Sequence, residues 1–268
     1  MAHLLSSLSP ARRRFVVGLV VLTLSVGAVV VVGTLVRGGD DVQPVAQDRL
    51  GPVLLVPGYG GSTTSLQVLA DALGDAGRDA RLVPPQGSGA EDLRDQAADL
   101  GSEVDDVLEE TGASSVDLVG YSAGGVVVRI YVTELGGDST VRRAVTLASP
   151  HHGTDLAELG GLLGQQACPD ACRQLAPDSD LLRRLNAGDE SPAGPTWAAL
   201  WTVDDKTVVP PDSGSLAGAL GFSVQSICPD LSVAHADVPR TPVVIEMVEA
   251  VLGRSAPVVP QKTLCGSG

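Results

Sequence analysis

The sequence predicts an α/β fold with a mostly parallel sheet, and three observations carry that prediction. Short, continuous apolar runs alternate with segments of helical periodicity, as in strands buried on both faces and joined by crossover helices. One of these runs, Val116 to Val119, ends in Gly120-Tyr121-Ser122-Ala123-Gly124, and a helix-compatible stretch, Val126 to Leu135, follows. Once about 40 non-globular N-terminal residues are set aside, roughly 230 remain, the size of one α/β domain. Hydrophobic residues make up 44% of the chain and aromatics only 3%, so the core has to be aliphatic.

The chain begins with a short polar stretch ending in Arg12-Arg13-Arg14. Phe15 to Val36 follows, 22 residues without a charge. Cleaved signal peptides carry apolar stretches of about 7–15 residues, whereas 22 helical residues span about 33 Å, enough for a hydrocarbon core of ~30 Å. The arginine cluster in front keeps the N-terminus inside. Residues 1–37 therefore read as a signal anchor, with a cleaved signal peptide as the alternative. Either way the rest of the chain lies outside the cytoplasm. Residues 38–51 read as a polar tether, and the folded domain is expected over 52–268.

Pro52 to Val56 is a first buried strand, ending in Pro57-Gly58-Tyr59-Gly60-Gly61-Ser62. Leu66, Leu69, Ala70 and Leu73 mark a helix. Arg81 to Val83 is a short strand. Glu91 to Glu110 is an amphipathic helix with Leu93, Ala97, Leu100, Val104 and Leu108 on one face. Arg143 to Ala148 is a strand running into Ser149-Pro150-His151-His152-Gly153-Thr154. Ala157 to Gly188 reads as irregular or helical. Trp197 to Val203 and Ser223 to Cys228 read as the last strands, and Pro242 to Leu252 as a closing helix.

The net charge of −14 narrows the partners. Residues 1–37 hold four arginines and no acid, which leaves 14 basic against 32 acidic residues, a net −18, beyond them. Such a domain is repelled by nucleic acid and by anionic membrane surfaces, so a neutral substrate fits better. Four cysteines, 168, 172, 228 and 265, follow the export segment. An even count in an oxidising compartment reads as two disulfides. Three pairings exist on paper, and the spacing favours Cys168–Cys172 with Cys228–Cys265.

The chemistry centres on Ser122. Gly-x-Ser-x-Gly between a strand and a helix is a nucleophile elbow, a sharp turn where side chains at 120 or 124 would crowd helix against strand. The serine needs a base, a group that orients the base, and donors for an oxyanion. In elbow-type hydrolases the triad runs serine, acid, histidine along the chain. His3 lies in the tail, and His151 and His152 come too early, so His235 is the expected base. The acid should end a strand between Ser122 and His235, which leaves Asp204 and Asp205. Asp205 is favoured, because Asp-x-x-Val-x-Pro puts its carboxylate at the strand tip with an apolar anchor and a turn behind it. The oxyanion donors are expected to be the backbone amides of Ala123 and Tyr59. The Gly-rich loop at 58–61 lacks the Lys-Ser/Thr of a phosphate-binding loop and the spacing of a dinucleotide fingerprint. Adjacent His151 and His152 lack the spacing that puts two metal ligands on one helical face, and the cysteines lack paired CxxC spacing. No metal and no cofactor is expected.

Taken together, Val-Pro-Gly-Tyr-Gly-Gly (56–61), Gly-Tyr-Ser-Ala-Gly-Gly (120–125) and Ala-Ser-Pro-His-His-Gly-Thr (148–154) resemble the bacterial secreted lipase/esterase families of the α/β-hydrolase fold. The segments 179–186 and Asp205 to Pro210 add to the resemblance, which spans roughly residues 51–255. Two departures stand out. Pro57-Gly58 replaces the usual His-Gly, and Ala-Asp-Val-Pro follows His235 where His-x-x-Leu is common. The resemblance implies hydrolysis of carboxylic esters, often acylglycerols, without a catalytic metal; a monomer is expected. Thioesterase and acyltransferase chemistry on envelope lipids, or a non-catalytic binding module of this fold, are the competing readings.

Overall fold

The computed structural model describes residues 42–85, 87–155 and 168–266. Phe15 to Val36, the expected anchor, lies outside the described residues. Among the described residues no helix is long and apolar enough to cross a membrane.

Among the described residues six strands form one parallel sheet. They are β1 (Val53–Val56), β2 (Ala80–Leu82), β3 (Val116–Tyr121), β4 (Val141–Leu147), β5 (Thr196–Trp201) and β6 (Leu220–Ser223), in the spatial order β2-β1-β3-β4-β5-β6. The four central strands are buried along almost their whole length because both faces are covered. One face packs on α1 (Thr64–Asp75), where Leu66, Leu69, Ala70 and Leu73 are the buried positions, as their spacing predicts. The other packs on α2 (Leu93–Thr111) and α3 (Ala123–Glu134). Asp92 caps α2 by accepting from Arg94 N at 2.7 Å, and Gly112, at φ 66°, ends it. Two short helices follow, α4 (Asp170–Gln174) and α5 (Asp180–Leu185).

The stretch Ser223 to Cys228, expected as a strand, differs. The strand is β6 and ends at Ser223; Val224–Ile227 is a helical turn, α6. Ser223 starts that turn, its Oγ accepting from Ser226 N at 3.1 Å. Val224, Ile227 and Cys228 are the buried positions, at helical i, i+3, i+4 spacing, and the cap sets where the turn begins. The closing helix, α7 (Pro242–Val251), covers the same face as α1. Both favoured disulfides are formed. Cys168–Cys172 closes a short loop into α4, and Cys228–Cys265 ties the end of α6 to the C-terminal segment.

Within the segment expected as a tether, Gln47, Asp48 and Gly51 are hydrogen-bonded to the domain. At the N-terminal end of the sheet Asp117 is fully buried and takes Arg142 as a bidentate pair, at 2.9 and 2.6 Å, with Arg78 at 2.6 Å. Buried guanidinium groups need acceptors; every nitrogen of Arg142 has one, and in Arg143 only Nε has none among the described residues. The N-terminal segment supplies acceptors. Gln47 O takes Arg142 Nη1 at 3.0 Å, Gln47 Oε1 takes Arg143 Nη1 at 2.6 Å and Thr196 Oγ1 at 2.9 Å, and Gly51 O takes Arg78 Nη2 at 3.1 Å. Gln47→Ala should therefore destabilise the domain by about 1–3 kcal/mol, the cost of a buried donor left unpaired. A urea midpoint measures this; an unchanged midpoint would mean that the segment rests on the domain without supporting it.

Candidate active site

Parallel strands present their C-terminal ends along one edge, and the chemistry-bearing side chains gather there. Ser122 follows β3 directly, at φ 54° and ψ −126°, a strained conformation for a residue with a side chain. The turn holds because Ser122 N donates to Leu147 O at 2.8 Å and Gly125 N donates to Ser122 O at 3.0 Å. Two glycines make room for it. A Cβ at 120 would lie 2.5 Å from Gly125 Cα, and one at 124 would lie 2.3 Å from Val56 O. Gly58 has a similar role on the facing loop, where an added Cβ would come within 2.9 Å of Ser122 Cβ.

The structure brings together all three side chains expected to act. His235 Nε2 is 3.1 Å from Ser122 Oγ, and His235 Nδ1 is 2.7 Å from Asp205 Oδ2. Asp205, an acceptor when ionised, makes Nδ1 the protonated nitrogen and leaves the Nε2 lone pair facing the serine hydroxyl. The other oxygen of Asp205 accepts from Thr207 N and Val208 N, both at 2.8 Å. The carboxylate, itself buried, is thus held at both oxygens. Asp205 lies four residues beyond the end of β5, and Val208 behind it is buried. Asp204 points elsewhere, toward Ser232, Val233 and Gln225.

Sequence reasoning gave Tyr121 no role. Its hydroxyl donates to His235 O at 3.1 Å, and its ring lies 5.2 Å from the imidazole, tilted by 35°. Burial, then the charge of Asp205, push its pKa up, so the phenol stays neutral and remains a donor. Nothing in the residue order announces this contact, because the tyrosine reaches a backbone carbonyl far along the chain.

Of the expected oxyanion donors, Ala123 follows Ser122 in the chain and Tyr59 lines the same cavity as Ser122. Ala123 opens α3, where the first amides have no acceptor within the helix. The loop carrying Tyr59 is braced from outside, with Gly60 N donating to Gly89 O at 3.0 Å and Gly61 N to Gly58 O at 3.0 Å. The bracing turn is itself locked by Glu91, which accepts from Ser88 N and Oγ at 2.9 Å and Ala90 N at 3.0 Å. The bonds from the Ser88 amide and hydroxyl hold its carboxyl down at about 2. A depressed carboxyl contributes stability above its unfolded value and loses that contribution only as pH falls through the folded one. The turn therefore stays locked at neutral and mildly acidic pH. Ser122 and His235 open onto a cavity of about 450 Å³ that Tyr59, Ser62, Ser65 and Thr207 also line.

His151 and His152 are not joined in a metal-type cluster. His151 is wholly buried, its Nε2 3.0 Å from Thr146 Oγ1, and burial with Arg129 nearby pushes its pKa well below the usual value. It is a neutral core histidine. His152 Nε2 lies 3.1 Å from Glu190 Oε1. Among the described residues no three His, Cys, Asp or Glu side chains could share a metal.

A strand-elbow-helix unit on a parallel sheet, with an acid and a histidine reaching the elbow from later loops, is the α/β-hydrolase fold, and the chain has that fold. The family model for palmitoyl protein thioesterase matches residues 52–184, which include Ser122 and end before Asp205 and His235. Among solved structures, the chain is similar to lipase B of Aspergillus fumigatus at 17% identity and a TM-score of 0.68, over 81% of this chain and 57% of that one. It is also similar to the mature form of lipase BlEst2 from Bacillus licheniformis, at 20% identity and a TM-score of 0.61, over 79% and 94% of the two chains. The propeptide form of that lipase gives 18% identity and a TM-score of 0.64, over 82% and 53%. The chain thus spans little more than half the length of the Aspergillus lipase and of the BlEst2 propeptide form. No curated protein matches the sequence.

Proposed function

We propose that the protein is a serine hydrolase that cleaves carboxylic esters of lipids through an acyl-enzyme intermediate. One observation carries the proposal: the continuous relay of Ser122 Oγ, His235 and Asp205 at 3.1 and 2.7 Å. Ser122 Oγ attacks the ester carbonyl carbon while its proton moves to His235 Nε2. The carbonyl oxygen takes up negative charge and receives hydrogen bonds from the amides of Ala123 and Tyr59. The tetrahedral centre collapses, the C–O bond to the alcohol breaks, and His235 returns the proton to the leaving oxygen. Water, deprotonated by the same imidazole, then releases the acid and restores the serine. Asp205 holds the tautomer and stabilises the imidazolium without taking the proton.

A thioester substrate is the second reading, favoured by the palmitoyl protein thioesterase match over residues 52–184. The same relay serves it, with a thiol as the leaving group. Rates across p-nitrophenyl esters of rising chain length, set beside acyl thioesters of the same acyl groups, separate the two. Faster turnover of the oxygen esters at every length supports ester hydrolysis. A consistent preference for the thioesters replaces it with the second reading.

The enzyme is proposed to work outside the cytoplasm, held by residues 15–36 as a membrane anchor. Two disulfides, which persist in oxidising compartments, support the location. The uncharged length of residues 15–36 behind three arginines supports the anchor. Membrane fractionation with N-terminal sequencing tests it. A mature N-terminus between residues 26 and 50, with activity in the medium, would make the segment a cleaved export signal.

A further inference from the structure

The loop that carries His235 is clamped to the turn that carries Asp205 by side chains outside the relay. Residues 231–234 belong to no strand or helix, so their backbone groups must find partners elsewhere. Thr202 Oγ1, fully buried, donates to Val233 O at 2.8 Å. Asp204 Oδ2 accepts from Ser232 Oγ at 2.9 Å and from Val233 N at 3.2 Å. Gln225, on α6, joins these groups. Its Oε1 accepts from Val203 N at 3.0 Å, and its Nε2 lies within reach of Thr202 Oγ1 at 2.9 Å, Leu231 O at 3.1 Å and Asp204 Oδ2 at 3.2 Å. The Thr202 hydroxyl is fully used, donating once and accepting from Gln225 and from Asp204 N at 3.3 Å.

We propose that Asp204 and Gln225 are positioning residues for the proposed reaction, setting where the His235 imidazole sits between Asp205 and Ser122. This rests on the reading of Ser122, His235 and Asp205 given above. The reason is geometric. The one hydrogen bond that His235 Nδ1 donates to Asp205 orients the ring but does not fix the backbone behind it. Tyr121 holds the carbonyl of His235 from one side, and the clamp holds residues 231–233 from the other. A displacement of about 1 Å at a reacting group can cost 10²-fold in rate, so a loosened loop should appear in kcat before it appears in binding. The two adjacent aspartates then divide the work, Asp205 acting on the ring and Asp204 on the loop backbone.

The test uses the full-length protein and p-nitrophenyl butyrate, with thermal unfolding recorded for every variant. Gln225→Ala and Asp204→Ala should each lower kcat by ~10-fold or more while KM stays within ~3-fold. In both, the low-field proton resonance of the Nδ1–H bond from His235 to Asp205 should shift or broaden. Asp204→Asn keeps an acceptor oxygen where Ser232, Val233 and Gln225 converge, so it should hold kcat within ~3-fold of wild type. Wild-type kcat with an unmoved resonance in both alanine variants overturns the proposal, as does a loss of kcat that only tracks the folded fraction. If Gln225→Ala does not fold, Ser232→Ala decides, since it removes a single exposed donor. A shifted resonance there supports the clamp, and an unchanged one overturns it. A wild-type protein without turnover would instead count against the reading of Ser122 as the nucleophile.

Discussion

Ser122→Ala and His235→Ala should each lower kcat on a soluble ester by at least ~10³-fold while the fold survives. The first removes the atom that forms the acyl bond. The second removes the imidazole that takes and returns that atom's proton, 3.1 Å away. The two losses should be similar, and the double variant should be little worse than either, because residues acting as one unit are not additive. Thermal unfolding separates chemistry from folding. Alanine at 122 keeps the Cβ and so the same strained φ, and the turn is still held by the bond that the residue 122 amide donates to Leu147 O and the one its carbonyl accepts from Gly125 N. Retained activity in either variant would remove the residue from the mechanism.

Asp205→Asn should be the next most damaging change, costing ~10³-fold or more and exceeding Asp204→Asn by at least ~10-fold. The hydrogen-bond pattern gives the reason. The side-chain oxygen of the introduced carboxamide would stay with the Thr207 and Val208 amides, which require an acceptor. The carboxamide nitrogen would then face His235 Nδ1 and donate to it, turning the imidazole to the tautomer with its proton on Nε2. That nitrogen could no longer accept from Ser122, and the same substitution in the best-studied triad costs about 10⁴. The side chain of Asp204 does not approach the imidazole, so its asparagine variant leaves the tautomer alone. If Asp204→Asn proves the worse of the two, the acid has been misassigned.

Local patterns made much of this structure legible. The glycines at 120 and 124 signal the elbow because their neighbours leave no space for a side chain, a constraint that shows as residue type. The spacing of Leu66, Leu69, Ala70 and Leu73 gives the buried face of α1, because an aliphatic core leaves few other ways to arrange them. Asp205 could be favoured over Asp204 from the sequence because the anchoring Val208 follows at a fixed distance. Ser223 to Cys228 reads as a strand only if its spacing is passed over, since Val224, Ile227 and Cys228 behind a capping Ser223 fit a helical turn. Gln47 gave no signal, since the buried arginines that need its oxygen lie far along the chain. The links among Thr202, Asp204, Gln225 and the His235 loop were hidden for the same reason. Single polar residues carry no periodicity, and only the folded chain brings them together.

Labelling with a fluorophosphonate followed by peptide mapping decides whether Ser122 is an activated nucleophile. The probe reacts only with an activated serine, so the result does not depend on the natural substrate. One adduct per chain is expected, on the peptide containing Ser122, lost in Ser122→Ala and strongly slowed in His235→Ala. Folded, disulfide-bonded protein that takes up no probe, or carries it on another serine, would rule out Ser122 as the nucleophile.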